Sequence, residues 1–281
     1  MNLVKSKEII VIYHADCIDG FGAAWCAFKK FGNQARYVPA RFGEPFPKHN
    51  ASCEIYILDF SYLPEIIVEV AKNVKHLTLI DHHVTAMNTF ENVLMPKNVT
   101  LQFDMNHSGC VLAWQYFFPE SEVPVLLTHI EDRDLWRFKL ERTQEITTAL
   151  YEKMPMSFKK FELLKLNSLF SIGKIQVAQM AKMIQRLAKN AHPIQIGDNS
   201  GLAVNAPAFF TSDLGYLLAE QSKGIGMTYY YDGSKKKWIF GLRSLGELNV
   251  GKIAVTFGGG GHVNAAGFSL THNPFLIDLS I

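Results

Sequence analysis

Residues 76–83 read His76-Leu77-Thr78-Leu79-Ile80-Asp81-His82-His83. A short apolar run closed by one acid and two imidazoles fits a buried strand whose carboxyl end opens onto polar chemistry. The same pattern recurs outward from it. Upstream, Ile55–Phe60 (IYILDF) is strand-like and ends at Asp59, and Glu8–Tyr13 (EIIVIY) runs into His14-Ala15-Asp16-Cys17-Ile18-Asp19-Gly20. Helical stretches separate these strands. Gly20–Phe31 carries Phe21, Ala24, Trp25 and Phe28 on one stripe, Pro64–Val74 repeats Ile66, Ile67 and Val70, and Cys110–Phe118 follows downstream. Alternation of this kind predicts an α/β fold with a parallel sheet covered by helices on both faces.

Beyond residue 150 the pattern changes. Ser157–Ala191 has helical spacing and predicts one or two helices. Strand-like Leu202–Asn205 then precedes a helix near Ser212–Gln221, with Ser212 or Asp213 as its N-cap. Met227–Tyr231 and Lys237–Leu242 flank an Asp232-Gly233 turn and predict a hairpin. A helix near Val250–Phe257, a glycine run and a last strand-like stretch follow. The predicted organisation is two domains: residues 1–150 with the parallel sheet, a helical linker over 151–192, and a smaller α/β domain over 193–281.

Composition agrees with this division. The 281 residues are 48% hydrophobic and 19% charged, which excludes a disordered or fibrous chain. The longest unbroken apolar run, Ala23–Phe28, is far short of the ~18 residues a membrane span needs. The N-terminal stretch lacks the apolar core of a signal peptide. Four cysteines without a CxxC pair predict reduced thiols and a cytoplasmic location. Net charge is only +2, which excludes a whole-molecule basic surface for long nucleic acid. Residues 1–150 nevertheless carry 14 basic and 18 acidic side chains, and residues 151–281 carry 14 and 8. An acidic half beside a basic half suits a cation site facing an anionic substrate.

The acids and histidines of the first half gather at predicted strand ends: His14 to Gly20, Asp59, Asp81-His82-His83, and Glu131-Asp132-Arg133-Asp134 after the apolar Val125–Ile130 segment. The carboxyl ends of strands in an open parallel sheet line the ligand crevice. Mixed oxygen and nitrogen donors converging there suit divalent manganese, zinc or iron.

These motifs resemble the DHH phosphoesterase superfamily, which includes RecJ-type exonucleases and nanoRNA phosphatases. Phe257-Gly258-Gly259-Gly260-Gly261-His262-Val263-Asn264-Ala265-Ala266-Gly267-Phe268 resembles the glycine-rich element of the associated DHHA1 domain. The resemblance spans nearly the whole chain. It implies an N-terminal DHH domain, a C-terminal DHHA1 domain and an active-site cleft between them. It also implies two manganese ions, with magnesium, zinc or ferrous iron as alternatives. His14, Asp19, Asp59, His82 and Asp132 would be metal ligands, with Asp59 bridging. His83 would face the substrate phosphate and Asp81 would orient its neighbours. In the second domain, Arg243 and Ser244 resemble the position that grips substrate phosphate. Gly259, Gly260 and Gly261 would bring backbone N–H groups to an anion, beside His262 and Asn264.

The chain departs from the family at Cys17, where the first motif usually has an aspartate; Asp16 is one residue out of register. Three readings stay open: Cys17 as buried packing, Cys17 or Asp16 as a ligand, or one weakened metal site. The activity implied is metal-dependent hydrolysis of short oligonucleotides by activated water, in the manner of a nanoRNase or 3′–5′ exonuclease. The alternatives are a cyclic (di)nucleotide phosphodiesterase, a pAp phosphatase, or a non-hydrolytic nucleotide- or RNA-binding protein. No membrane partner is expected, and monomer or homodimer is left open.

Overall fold

The structure is a computed structural model that describes residues 8–154 and 156–272. The chain divides between Val177 and Ala178 into two compact units. The first holds β1 (Ile9–His14), α1 (Ile18–Phe31), β2 (Ala35–Ala40), β3 (Glu54–Leu58), α2 (Pro64–Ala71), β4 (His76–Asp81), α3 (Val84–Phe90), β5 (Val99–Phe103), α4 (Gly109–Phe117), α5 (Val125–Asp134), α6 (Thr143–Glu152) and α7 (Phe158–Glu162). A long helix, α8 (Leu166–Ala188), runs across the division. The second unit holds β6 (His192–Ile196), β7 (Asn199–Asn205), α9 (Thr211–Ser222), β8 (Ile225–Asp232), β9 (Lys237–Arg243), α10 (Val250–Thr256), β10 (Gly260–Gly261) and β11 (Ala265–Leu270).

In the first unit five strands lie in the order β2-β1-β3-β4-β5, all parallel. The two-residue period of the strands sorts their side chains onto two faces. Val11, Leu58 and Ile80 meet Phe21, Trp25, Leu112 and Trp114 of α1 and α4 on one. Ile10, Ile12, Ile55, Ile57, Leu77 and Leu79 meet Ile67 and Val70 of α2 on the other. Both faces are therefore apolar, as a parallel sheet covered by helices requires. The second unit has a six-stranded sheet in the order β10-β11-β9-β8-β7-β6, in which β7 and β8 pair parallel and the other neighbours antiparallel. The α/β reading thus holds for both units.

Two expectations need correction. Val125–Ile130 is the start of helix α5 rather than a strand: Pro124 precedes it, Leu127 and Thr128 donate to the Pro124 carbonyl, and Leu127 and Ile130, three residues apart, are both buried. A short apolar run does not separate helix from strand by period. Helix α9 has Phe210 at its N-cap position, and Ser212 lies inside the first turn. The glycine run contains strand β10, paired with β11.

Candidate metal centre

The strand order reverses between β1 and β3, and an open α/β sheet places its ligand crevice beyond the strand ends at such a point. β1 ends at His14, and β3 is followed at once by Asp59. Asp59 takes a left-handed backbone, φ 65°, which aspartate tolerates better than most residues. It is 1% exposed, and its two oxygens face different imidazoles. Oδ1 lies 3.1 Å from His82 Nε2 and Oδ2 lies 3.4 Å from His14 Nδ1. His82 Nε2 also lies 3.6 Å from Asp19 Oδ2 and 3.5 Å from Asp134 Oδ2.

The supports of this cluster are built into the backbone. Asp19, in the first turn of α1, accepts from Ser108 Oγ at 2.7 Å and from the N–H groups of Gly109 and Cys110 at 2.6 and 3.0 Å. The start of α4 therefore holds this carboxylate by donors that point at an anion. Gly109 is the residue that fits there, since a Cβ would come 2.5 Å from Asp59 Cβ. Asp81 accepts from Ser61 Oγ at 2.6 Å and from His82 N at 2.8 Å, and meets His83 Nδ1 at 2.6 Å. That fixes the His83 ring through Nδ1.

Three carboxylates and two imidazoles at this density must be neutralised. Burial pushes Asp19 well above the usual carboxylate range, and Asp59 and Asp134 push the same way. Asp134 is also raised, by burial and then by Asp59. Burial would raise Asp59 too, yet the imidazoles of His14 and His82 carry it well below its ordinary value. For His82, burial pulls downward, but Asp59, Asp134 and Asp19 lift it to about 10. Burial pushes the Cys17 thiol well up, with Asp59, Asp134 and Asp19 adding to the effect. Bound protons therefore offset the buried charge, and a divalent cation would displace them.

The donor atoms fit such a cation. His14–Cys17–Asp59 and Asp19–Asp59–His82 each bring three ligand atoms within 4.8 Å of one another, and Asp59 belongs to both sets. The measured separations near the carboxylates approach the ~3 Å edge expected of donors about 2 Å from one ion. The buried Oδ2 atoms of Asp59 and Asp134 accept no hydrogen bond, as oxygens reserved for a metal would be left.

Two expected ligands lie elsewhere. Asp132 accepts from Lys139 N at 2.8 Å, Leu140 N at 3.0 Å and Thr143 Oγ1 at 2.7 Å. It clamps the turn after α5, while Asp134, two residues on, reaches His82. The helical geometry of α5 separates the two, and of the pair it is Asp134 that stands beside His82. Asp16 is turned outward at φ 57° and pairs with Arg41. Asp134, Ser61 and Ser108 escape the reading of the sequence alone. Asp134 sits inside the quoted acidic cluster, but nothing in the spacing of the two serines marks them.

In the second unit, Arg243 donates from Nη1 to the Leu242 carbonyl and from Nη2 to Ser212 Oγ, both at 2.8 Å, and lies over the Tyr216 ring. Gly215 gives it room, since a Cβ there would meet Arg243 Cγ at 2.7 Å. Ser244 is fully buried; its hydroxyl donates to the Leu248 carbonyl and accepts from Asn264 Nδ2. The N–H groups of Gly258, Gly259 and His262 donate to the Val255, Ala254 and Ala265 carbonyls. Ser244, Asn264 and Gly259 thus spend these groups on the local fold. Gly260 and Gly261 form β10, where a Cβ on Gly261 would approach Ala265 O at 2.5 Å.

A parallel sheet with these acid- and histidine-bearing strand ends, followed by a mostly antiparallel sheet with a glycine-rich edge, is a fold shared with solved proteins. Among solved structures, an exopolyphosphatase-related protein from Bacteroides fragilis matches 95% of this chain and 88% of its own length at TM-score 0.50 and 14% identity. RecJ from Thermus thermophilus, solved in complex with Mn2+, matches 95% of this chain and 50% of its own at TM-score 0.51 and 13% identity. An uncharacterised protein of Acanthamoeba polyphaga mimivirus is 29% identical over 293 residues, taking in 95% of this chain and 68% of the viral protein. No protein-family model matches the chain.

Proposed function

We propose that the chain is a divalent-metal-dependent phosphoesterase that cleaves the phosphodiester bonds of short oligonucleotides. The observation that carries this reading is Asp59, whose two oxygens face the two donor sets. Asp19, Asp59, His82 and Asp134 would hold one ion, and His14 and Asp59 would contribute to the other. When bound, divalent cations supply neutralisation of phosphoryl charge and activation of water. Manganese suits the oxygen- and nitrogen-rich set, and the fold likeness to the manganese-bound RecJ structure supports that choice.

The remaining roles fall to the chain's own groups. His83, with Nδ1 held by Asp81, presents Nε2 as a donor or acceptor for a phosphoryl oxygen. Arg243, braced by Ser212, supplies a planar guanidinium for the phosphate of the substrate. A net charge of +2 suits substrates of a few nucleotides, and four free cysteines suit a reducing cytoplasm. Assays of di- to decanucleotides, cyclic dinucleotides and pAp with manganese test the reading. Release of mononucleotides from the shortest linear substrates is expected. Nucleotide binding without turnover on any of them would instead make the chain a non-hydrolytic binding protein.

A further inference from the structure

We propose that Cys17 is a metal ligand, so that the His14–Cys17–Asp59 set takes a thiophilic divalent ion such as zinc or ferrous iron beside a harder ion held by Asp19, Asp59, His82 and Asp134. The proposal rests on the metal-dependent reading above and specifies what that reading leaves open.

Three observations carry it. The Cys17 sulfur, a His14 nitrogen and an Asp59 oxygen lie within 4.8 Å of one another, as the donor atoms of Asp19, Asp59 and His82 also do. Within that cluster, the buried Asp59 Oδ2 accepts no hydrogen bond and faces His14. The carboxylate nearest in sequence does not replace the sulfur, because Asp16 is turned to the surface and paired with Arg41. Besides Asp59 itself, the first loop therefore offers this side one nitrogen and one sulfur, whereas the other side has two carboxylates, Asp19 and Asp134, and one nitrogen. Thiolate is a soft, polarisable donor that favours zinc and iron, while carboxylates favour manganese and magnesium.

Cobalt(II) titrated into the metal-free full-length chain reads the two sides separately. Total binding should reach two equivalents, but the sulfur-to-cobalt charge-transfer absorption should saturate after one. Cys17→Ser should lose that absorption while Cys26, Cys53 and Cys110 remain, and Cys17→Asp should shift competition from zinc toward manganese. X-ray absorption of the zinc-loaded wild type gives a readout free of any variant, with one sulfur expected at about 2.3 Å. Two bound cobalt ions without a charge-transfer band, no sulfur neighbour on zinc, or a band that persists in Cys17→Ser would overturn the assignment of Cys17 and leave the metal-dependent reading intact. A chain that binds no cobalt at all would overturn both.

Discussion

In the first unit Asp19, Asp59, Asp81, Asp132, His82 and His129 are all buried, whereas the buried polar side chains of the second unit, among the described residues, are the hydroxyls of Thr228 and Ser244. Burying a charge is expensive unless partners or a metal offset it. The second unit avoids that cost. Thr228 bonds Thr211, Ser244 bonds Leu248 and Asn264, and Arg243 stays only partly buried over Tyr216. The first unit accepts it at one end of one sheet. Asp19, Asp59, Asp81 and His82 serve the crevice. Asp132 is neutralised by three donors of its own turn, and His129 meets the Thr143 hydroxyl beside it. Concentrated buried charge marks the chemistry, and satisfied hydroxyls mark architecture.

The contrast breaks hardest at Asp59. Asp59→Ala should lower turnover at least ~10²-fold, the scale of losing one strong transition-state stabiliser, with circular dichroism unchanged because a strand-end acid adds little packing. Gly109→Ala comes next. Its Cβ would press on Asp59, and metal affinity measured by calorimetric titration should fall about 10- to 100-fold, as when a ligand's support is lost.

Asp134 and Asp132 sharpen the comparison within one helix. Asp134→Ala should cut metal affinity about tenfold or more with little change in melting temperature. Asp132→Ala should spare metal affinity and cost about 1–3 kcal/mol of stability by chemical denaturation, because it strands buried donors. In the second unit, Arg243→Ala should raise KM about tenfold and leave metal content unchanged, the signature of lost substrate binding.

A further expectation is a pH dependence. In the metal-free chain His82 is raised to about 10 from an unfolded value near 6.5. A group raised on folding stabilises fully below its unfolded value and ceases to do so as pH passes its folded value. The melting temperature of metal-free protein should therefore fall between about pH 6.5 and 10. Manganese, by replacing the proton, should flatten that slope.

The sequence exposed the buried strands and hid the edges. β1, β3 and β4 announce themselves as apolar runs because both faces of the sheet are covered. β2, β5 and β6, each at a sheet edge, were not legible. β2 and β6 contain Pro39 and Pro193, which an edge tolerates and a central strand does not. The site shows the same division. That His14, Asp19, Asp59, His82 and His83 gather at one end of the sheet was readable because each lies at or just after the end of a strand. The difference between Asp132, which clamps its own turn, and Asp134, which reaches His82, was not, since it depends on how α5 packs against α1, α4 and α6. The donors from Ser61 and Ser108 lie 20 and 89 residues from the acids they hold, and local spacing carries no record of such pairs.

The central claim is that one carboxylate serves two cation sites. Counting the metal ions bound per chain, by mass spectrometry of the native protein after loading and gel filtration, tests it directly with Asp59→Ala beside wild type. The account predicts two ions in the wild type and loss of affinity at both sites in the variant. Two ions retained in Asp59→Ala at the same affinities would contradict it.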